Sequence, residues 1–319
     1  MTPAATTDLR QGGTWTRAQS LKNDVILVVV RCALALLVPL PPTVLRSLGR
    51  ALGLVAFALL PRVRRTARSN IARAFPEMSG REAVTVARSA YIALGGHLGD
   101  ALASLDSRNP LVPLPVDEEA LAVLSRASRG ETGEPRGILF ASAHLGPWER
   151  VAATLVARGV PMTVLARETY DPRLSSIYDR LRARRGVPAI YRGLPGAPTR
   201  IVRTLRTGGA LAVPMDLRSR VPSVEATFLG QRARLPVGPA RIALRMGAAV
   251  VVGTVAPDPA VPGGLRIRCT EIPTRDLLPG DAGERELTAR LAFELSSRIR
   301  QLPGEWVWMH DRFAGNLVD

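Results

Sequence analysis

The sequence predicts an α/β fold, a mainly parallel sheet flanked by helices, with an apolar helical segment in front of it. Two observations carry that prediction. From residue 137 onward, short apolar runs alternate with segments of helical period. Before that, the chain is helical in pattern and contains an almost uninterrupted apolar stretch. At 319 residues the chain is long enough for a sizeable core, and with 46% hydrophobic and 22% charged residues it is too apolar for a disordered polybasic protein.

Residues 1–20, rich in Thr, Ala, Gln and Gly, read as a flexible tail. Val25 to Leu40 is a sixteen-residue apolar run broken by Arg31 and closed by prolines. A bilayer-spanning helix needs about 20 apolar residues, so this run suits an uncleaved anchor better than a removed signal peptide. Val44, Leu45, Leu48, Leu52, Val55 and Leu59 then recur at helical spacing with Arg46 and Arg50 on the other side. Residues 1–75 carry 11 Lys or Arg against two Asp, as an anchor on an anionic leaflet would. Packing of these helices on the main domain, with arginines facing water, explains the same pattern. Residues 21–61 are therefore read as membrane-anchoring helices and 62–319 as the main domain.

Residues 62–109 are helical in pattern, interrupted at Pro76, with Ser79 and Glu82 forming a capping box. His97 falls inside this pattern and reads as a packed or surface histidine. A proline-rich connection with one short helix, Glu118 to Ala127, leads into the alternating region. There the strands are Gly137–Ser142, Met162–Ala166, Ala189–Tyr191, Ala210–Pro214, Ala249–Val255 and Leu265–Cys269. The helices are Pro147–Arg158, Leu174–Arg185, Ile201–Arg206, Leu235–Met246 and Arg285–Gln301.

Several chemistries are excluded by what is missing. Lys22 is the one lysine among 43 basic residues, which removes a Walker-type phosphate loop, and neither GxSxG nor a strand-following GxGxxG occurs. Cys32 and Cys269 form no redox pair, and His97, His144 and His310 lack metal-site spacing, so no cofactor and no metal is expected. The net charge of +16 implies an anionic partner. Nucleic acid is disfavoured because aromatics make up 4% of the chain and do not interleave with the arginines.

The stretch Ala143-His144-Leu145-Gly146-Pro147-Trp148-Glu149 follows a buried strand and opens a helix, where an α/β sheet places its sites. Glu149, in the first helical turn, can reach back to the His144 imidazole, fix its tautomer and leave the other nitrogen as a general base. Taken alone, Glu149 serves equally as a first-turn carboxylate answering the helix dipole.

FASAHLGPWE resembles the H-x4-D/E block of glycerolipid-type acyltransferases, and more closely that of the bacterial lipid A late acyltransferases. Other blocks agree in order: RRTARSNIARAFPEMS, ARETYDPRLSSIYDRLRARRGVPAI, MDLRSRVPSVEATFLGQRARLPVGPARIALRMGAAVVV and LPGEWVWMHDRF. The resemblance covers roughly residues 22–313. It implies a glycerolipid acyltransferase-like fold and transfer of a fatty acyl chain from acyl carrier protein to a hydroxyl of a lipid A precursor. It makes His144 the general base and Glu149 its acidic partner. Arg182 matches the family's arginine, and Arg167, Asp216, Glu225 and Gly238 fall in substrate-binding blocks. Backbone amides from Pro236 to Ala240, or Arg167 and Arg182, would face the oxyanion. Asp216 is followed by Leu217-Arg218 where the lipid A enzymes often carry a second aspartate. Glu225 before Phe228-Leu229-Gly230 is closer to the mycobacterial phosphatidylinositol mannoside acyltransferases, although it reads equally as a strand residue paired with an arginine.

The expected partners are acyl carrier protein or acyl-CoA as donor, a glycolipid acceptor and membrane lipids. The expected location is the cytoplasmic (inner) membrane with the catalytic domain facing the cytoplasm. The alternatives are an acyl-CoA-dependent enzyme acting on a mannosylated phosphatidylinositol or another glycophospholipid, and a non-catalytic basic membrane-binding protein.

Overall fold

The computed structural model describes residues 13–110, 112–130, 133–218 and 221–313. Four helices lead: α1 (Arg17–Leu37), α2 (Pro42–Leu59), α3 (Pro61–Ala74) and α4 (Gly80–Ala103). Helix α1 starts earlier than the sequence suggested, because Thr16 and Gln19 form a capping box. Arg17 to Ser20 therefore belong to the helix, and residues 1–12 of the expected tail lie outside the described residues. The expected Ser79–Glu82 box does open α4.

After α5 (Glu118–Ala127), the chain alternates through β1 (Ile138–Ser142), α6 (Trp148–Ala157), β2 (Met162–Ala166), α7 (Pro172–Arg184), β3 (Ala189–Tyr191), α8 (Ala197–Arg206) and β4 (Ala210–Pro214). A hairpin of β5 (Ser223–Phe228) and β6 (Gln231–Pro236) follows, then α9 (Gly238–Met246), β7 (Ala249–Pro257), β8 (Leu265–Glu271) and α10 (Asp281–Gln301). The sheet runs β3-β2-β4-β1-β7-β8, parallel except for the antiparallel edge strand β8.

The hairpin is where sequence and structure part. A helix was expected from Leu235, but Gln231–Pro236 forms a strand whose Arg232 and Arg234 are exposed while Ala233 and Leu235 are buried. That is a period of two, and α9 begins only after Pro236. Strand β5 was not expected as an element.

Helix α2 lies on α4 through glycines. A Cβ at Gly49 would clash with the Gly95 carbonyl, and one at Gly95 with the Gly49 carbonyl; Gly53 and Gly99 face Tyr91 and Leu45 backbone in the same way. The backbones therefore touch along this seam, as in small-residue helix pairs. The opposite side of α2 keeps Leu48, Leu52, Val55 and Leu59 exposed, and α1 exposes Val25, Val28, Val29 and Leu36. Among the described residues, α2 is the helix long and apolar enough to cross a bilayer, with a mean hydropathy of 1.3. The run in α1 on which the anchor was first placed shares its helix with Lys22, Asp24 and Arg31.

Candidate active site

Strands β1 and β4 are neighbours in parallel register, with Ser142 opposite Pro214 at their carboxyl ends. The chain leaves β1 toward one side of the sheet, to β2, and leaves β4 toward the other, to β7. Their ends thus mark a point where strand order reverses, the place where α/β sheets bind ligands. His144 and Asp216 each stand two residues beyond their strand, so the register alone brings them side by side.

The Asp216 carboxylate is completely buried and receives three bonds. The His144 backbone N–H donates to Oδ2 at 2.8 Å, the Trp306 indole Nε1–H donates to the same oxygen at 2.7 Å, and His144 Nδ1 lies 2.9 Å from Oδ1. An ionised carboxylate only accepts, so Nδ1 carries the proton and Nε2 is left as the basic nitrogen. Burial by itself would push Asp216 up, but the His144 imidazole and the three bonds outweigh it and hold the carboxyl below its ordinary value. For His144, burial pulls down while Asp216, then Glu149, pull up, and the net direction is upward. The ring also packs edge-on against Trp148, centroids 5.0 Å apart.

The carboxylate bonded to the His144 ring is Asp216, which the sequence reading placed among the substrate-binding residues; Glu149 makes no hydrogen bond to the ring. Glu149 does sit in the first turn of α6, but its Oε1 pairs with Arg182 Nη2 at 2.8 Å. Arg182 is 9% exposed at the end of α7, and a buried guanidinium takes the nearest carboxylate. Glu149 acts on His144 through its charge, as the last of the causes raising the imidazole.

The other expected residues fall further afield. Arg167 is exposed directly after β2. Glu225 is exposed on β5 and bonds Arg232 across the hairpin at 2.6 Å, which is the strand-pair reading of that residue. Gly238 opens α9 with free space where a Cβ would stand. Trp306 and Trp308 are core residues, 1% and 0% exposed. Among the described residues, no group of three or more His, Cys, Asp or Glu is assembled that would hold a metal.

Glu305 was missed altogether. Its carbonyl accepts from the Gly146 N–H at 2.9 Å and its carboxylate meets His97 Nε2 of α4 at 2.7 Å. The turn Pro303–Glu305 and Trp306 are thus stitched to the His144 loop, including a bridge between Leu145 and Trp306.

Beside the histidine, between α6 and the sheet, is a narrow cleft of about 440 Å³ with the open solvent in front of it included, of which only about 30 Å³ is enclosed. Phe140, Val164, Ala212 and Ala152 give it apolar walls, and Ser142, Trp148 and Glu149 also line it. A basic imidazole nitrogen next to an apolar recess between α6 and the sheet suits chemistry beside a hydrocarbon group.

The family model for bacterial lipid A biosynthesis acyltransferases matches residues 17–314. The chain belongs to this family. It is also 26% identical over 188 residues to the phosphatidylinositol mannoside acyltransferase of Mycolicibacterium smegmatis, an alignment covering 58% of this chain and 59% of that relative. For a member of the lipid A acyltransferase family, the geometry puts the H-x4-E histidine at the switch point of the sheet and gives its glutamate to an arginine.

Proposed function

We propose that the protein is an O-acyltransferase that moves a fatty acyl chain from a thioester donor to a hydroxyl of a glycolipid. The observation that carries the reading is the His144–Asp216 pair beside an apolar cleft lined by Ala143 and Leu145, the histidine's two chain neighbours, in a chain of this family. His144 Nε2 takes the proton of the acceptor hydroxyl as its oxygen attacks the thioester carbonyl. The new C–O bond gives a tetrahedral oxyanion; as it collapses the C–S bond breaks, and the imidazolium returns its proton to the departing thiolate. Asp216 keeps the tautomer and balances the transient imidazolium. The pair Glu149–Arg182 fixes the first turn of α6 beside the reacting atoms. The head of the acyl chain faces the apolar cleft between α6 and the sheet.

In this reading the donor is acyl carrier protein and the acceptor a lipid A precursor. The relative from Mycolicibacterium smegmatis supports a second acceptor class, a mannosylated phosphatidylinositol with acyl-CoA as donor. The exposed apolar sides of α1 and α2, with the basic residues among them, rest on the cytoplasmic leaflet of the inner membrane and let the site reach its lipid. Arg167 and Gly238 line the approach of the substrates; the ion-paired, exposed Glu225 has the weakest case.

The test is mass spectrometry of lipids incubated with both donors, both acceptor classes, and wild type, His144→Ala or Asp216→Asn. A gain of one acyl mass by a single acceptor class, lost in both variants, is the expected result. No gain with any pair, or full activity of both variants, would overturn the proposal.

A further inference from the structure

Arg150, one residue past Glu149 on α6, belongs to a cluster of guanidiniums with too few carboxylates. It reaches Asp100 of α4 at 3.6 Å, but Asp100 is already held by Arg46 of α2 through two bonds of 2.7 and 2.9 Å. Arg184 and Arg185, where α7 ends, bond only to Ser104: Arg184 Nη1 to its carbonyl and Arg185 Nη2 to its hydroxyl. Neither makes an ion pair among the described residues. The nearby Glu149 is committed to Arg182 and Asp106 to Arg108. Among the described residues, Arg46 and Arg150 thus share the Asp100 carboxylate, and Arg184 and Arg185 have no carboxylate within ion-pair distance.

Arg185 is the decisive member. It is 7% exposed, and its Nη1 is buried with no hydrogen-bond partner. Arginine cannot shed its proton in a protein, so an unpaired buried guanidinium is costly unless something anionic answers it. Arg150, Arg184, Asp100 and Glu149 all act on its charge, and burial pushes both Arg185 and Arg150 below their ordinary value. Arg46, Arg150 and Arg184 keep part of their surface in solvent, so an anion can reach the cluster from outside while Arg185 supports it from beneath.

We infer that Arg150, Arg184 and Arg185, with Arg46 at the rim, form a phosphate-binding site beside the active site, one that holds a phosphate group of a substrate during transfer. Guanidiniums in a fork suit the several oxygens of a phosphate. The inference rests on the acyltransferase reading for its role, since a thioester carrier and a glycolipid both bear phosphate. It does not rest on that reading for its existence. Arg182, which the resemblance would set facing the oxyanion, is occupied by Glu149.

The experiment has two arms, both on the full chain. First, inorganic pyrophosphate is titrated into wild type, Arg185→Gln, Arg150→Gln and Arg184→Gln by calorimetry at constant ionic strength, with exposed Arg206→Gln as control. Wild type and control bind alike, and each cluster variant binds about tenfold more weakly, the scale of one charged hydrogen bond lost. Binding no tighter than chloride, or undiminished in the variants, overturns the site. Arg150 and Arg184 decide the matter if Arg185→Gln does not fold.

Second, KM is measured for acyl-CoA, for acyl-pantetheine lacking phosphate, and for the lipid acceptor. A rise of about tenfold in KM for acyl-CoA alone, kcat unchanged, assigns the site to the donor phosphate, and a rise for the acceptor alone assigns it to the lipid. No change in either KM overturns the substrate role. Absence of transfer by wild type sinks the acyltransferase reading instead, and the pyrophosphate arm still judges the site.

Discussion

Replacing Asp216 by asparagine keeps the shape of the buried side chain and inverts its hydrogen bonding on one side. Oδ2 accepts two bonds, from the His144 backbone N–H and the Trp306 indole, so the amide oxygen of the substituted side chain must take that position. The amide NH2 then faces His144 Nδ1, 2.9 Å away in wild type, and Nδ1 has to become the acceptor. The proton moves to Nε2, the nitrogen that should receive the acceptor's proton. Tautomer inversion of this kind in histidine–aspartate catalysis costs about 10⁴-fold in rate, or about 5.5 kcal/mol. The pH profile moves as well. As the proposed general base His144 must be neutral to act, and its raised folded value places the expected acid limb of kcat/KM above the ordinary 6.5, with activity lost as pH falls through it. In Asp216→Asn the two upward causes from the carboxylate vanish while burial remains, so the surviving activity has its acid limb at lower pH. The assay is thiol release from an acyl donor with acceptor present, from pH 5 to 9, with circular dichroism and a melting curve to confirm the fold. Retention of activity within about threefold of wild type with an unmoved acid limb would refute the reasoning, since about 10⁴ is what the inverted tautomer demands.

Glu149→Ala strands the buried Arg182 and should lower stability by about 3 kcal/mol in a denaturant melt, while moving the acid limb less than Asp216→Asn does. Ala152→Phe fills the cavity under α6 and should reduce transfer of long acyl chains while sparing short ones, measured across a donor series; equal loss at all lengths would remove the cavity as acyl site. Changing Leu48, Leu52 and Val55, all about half exposed, to Gln together should weaken sedimentation with anionic vesicles about 100-fold, at roughly 1 kcal/mol for each half-exposed side chain.

The alternating half of the fold was legible because its signals are local. Strands such as GILFAS and ALAVP are short apolar runs between turns, and the helices carry their caps within a few residues. The same locality shaped the site reading. Glu149 is five residues from His144 and was matched to it, whereas Asp216 is 72 residues away and becomes its neighbour only through the register of β1 on β4. Parallel register over that separation leaves no mark in one sequence, although the equal offset of both residues from the ends of apolar runs was there to be read. The β5–β6 hairpin was lost for a related reason. Its alternation of arginines with Ala233 and Leu235 precedes a proline and glycine that announce a helix, and the helical signal was extended backward over the strand.

Trp306→Phe separates holding the base from setting its tautomer. The indole gives Asp216 one of its three bonds, and the same segment grips the His144 loop through Leu145 and the Gly146 N–H. Gly146 has φ of +60°, and a Cβ there would meet the Val255 side chain at 2.6 Å, so the loop has little room to adjust on its own. Glu305 continues the grip to His97 of α4, the helix that lies glycine to glycine on α2. Phenylalanine removes the N–H and some volume, leaving one buried carboxylate lone pair unanswered, at a cost of about 1–3 kcal/mol. Asp216 keeps its charge and its bond to Nδ1, so the tautomer stays correct and the acid limb should stay near that of wild type. The expected outcome is a kcat/KM lowered about tenfold, the effect of a loosened base, with a lower melting temperature. A loss as deep as that of Asp216→Asn would mean that the indole bond, and not the carboxylate, governs the proton on His144.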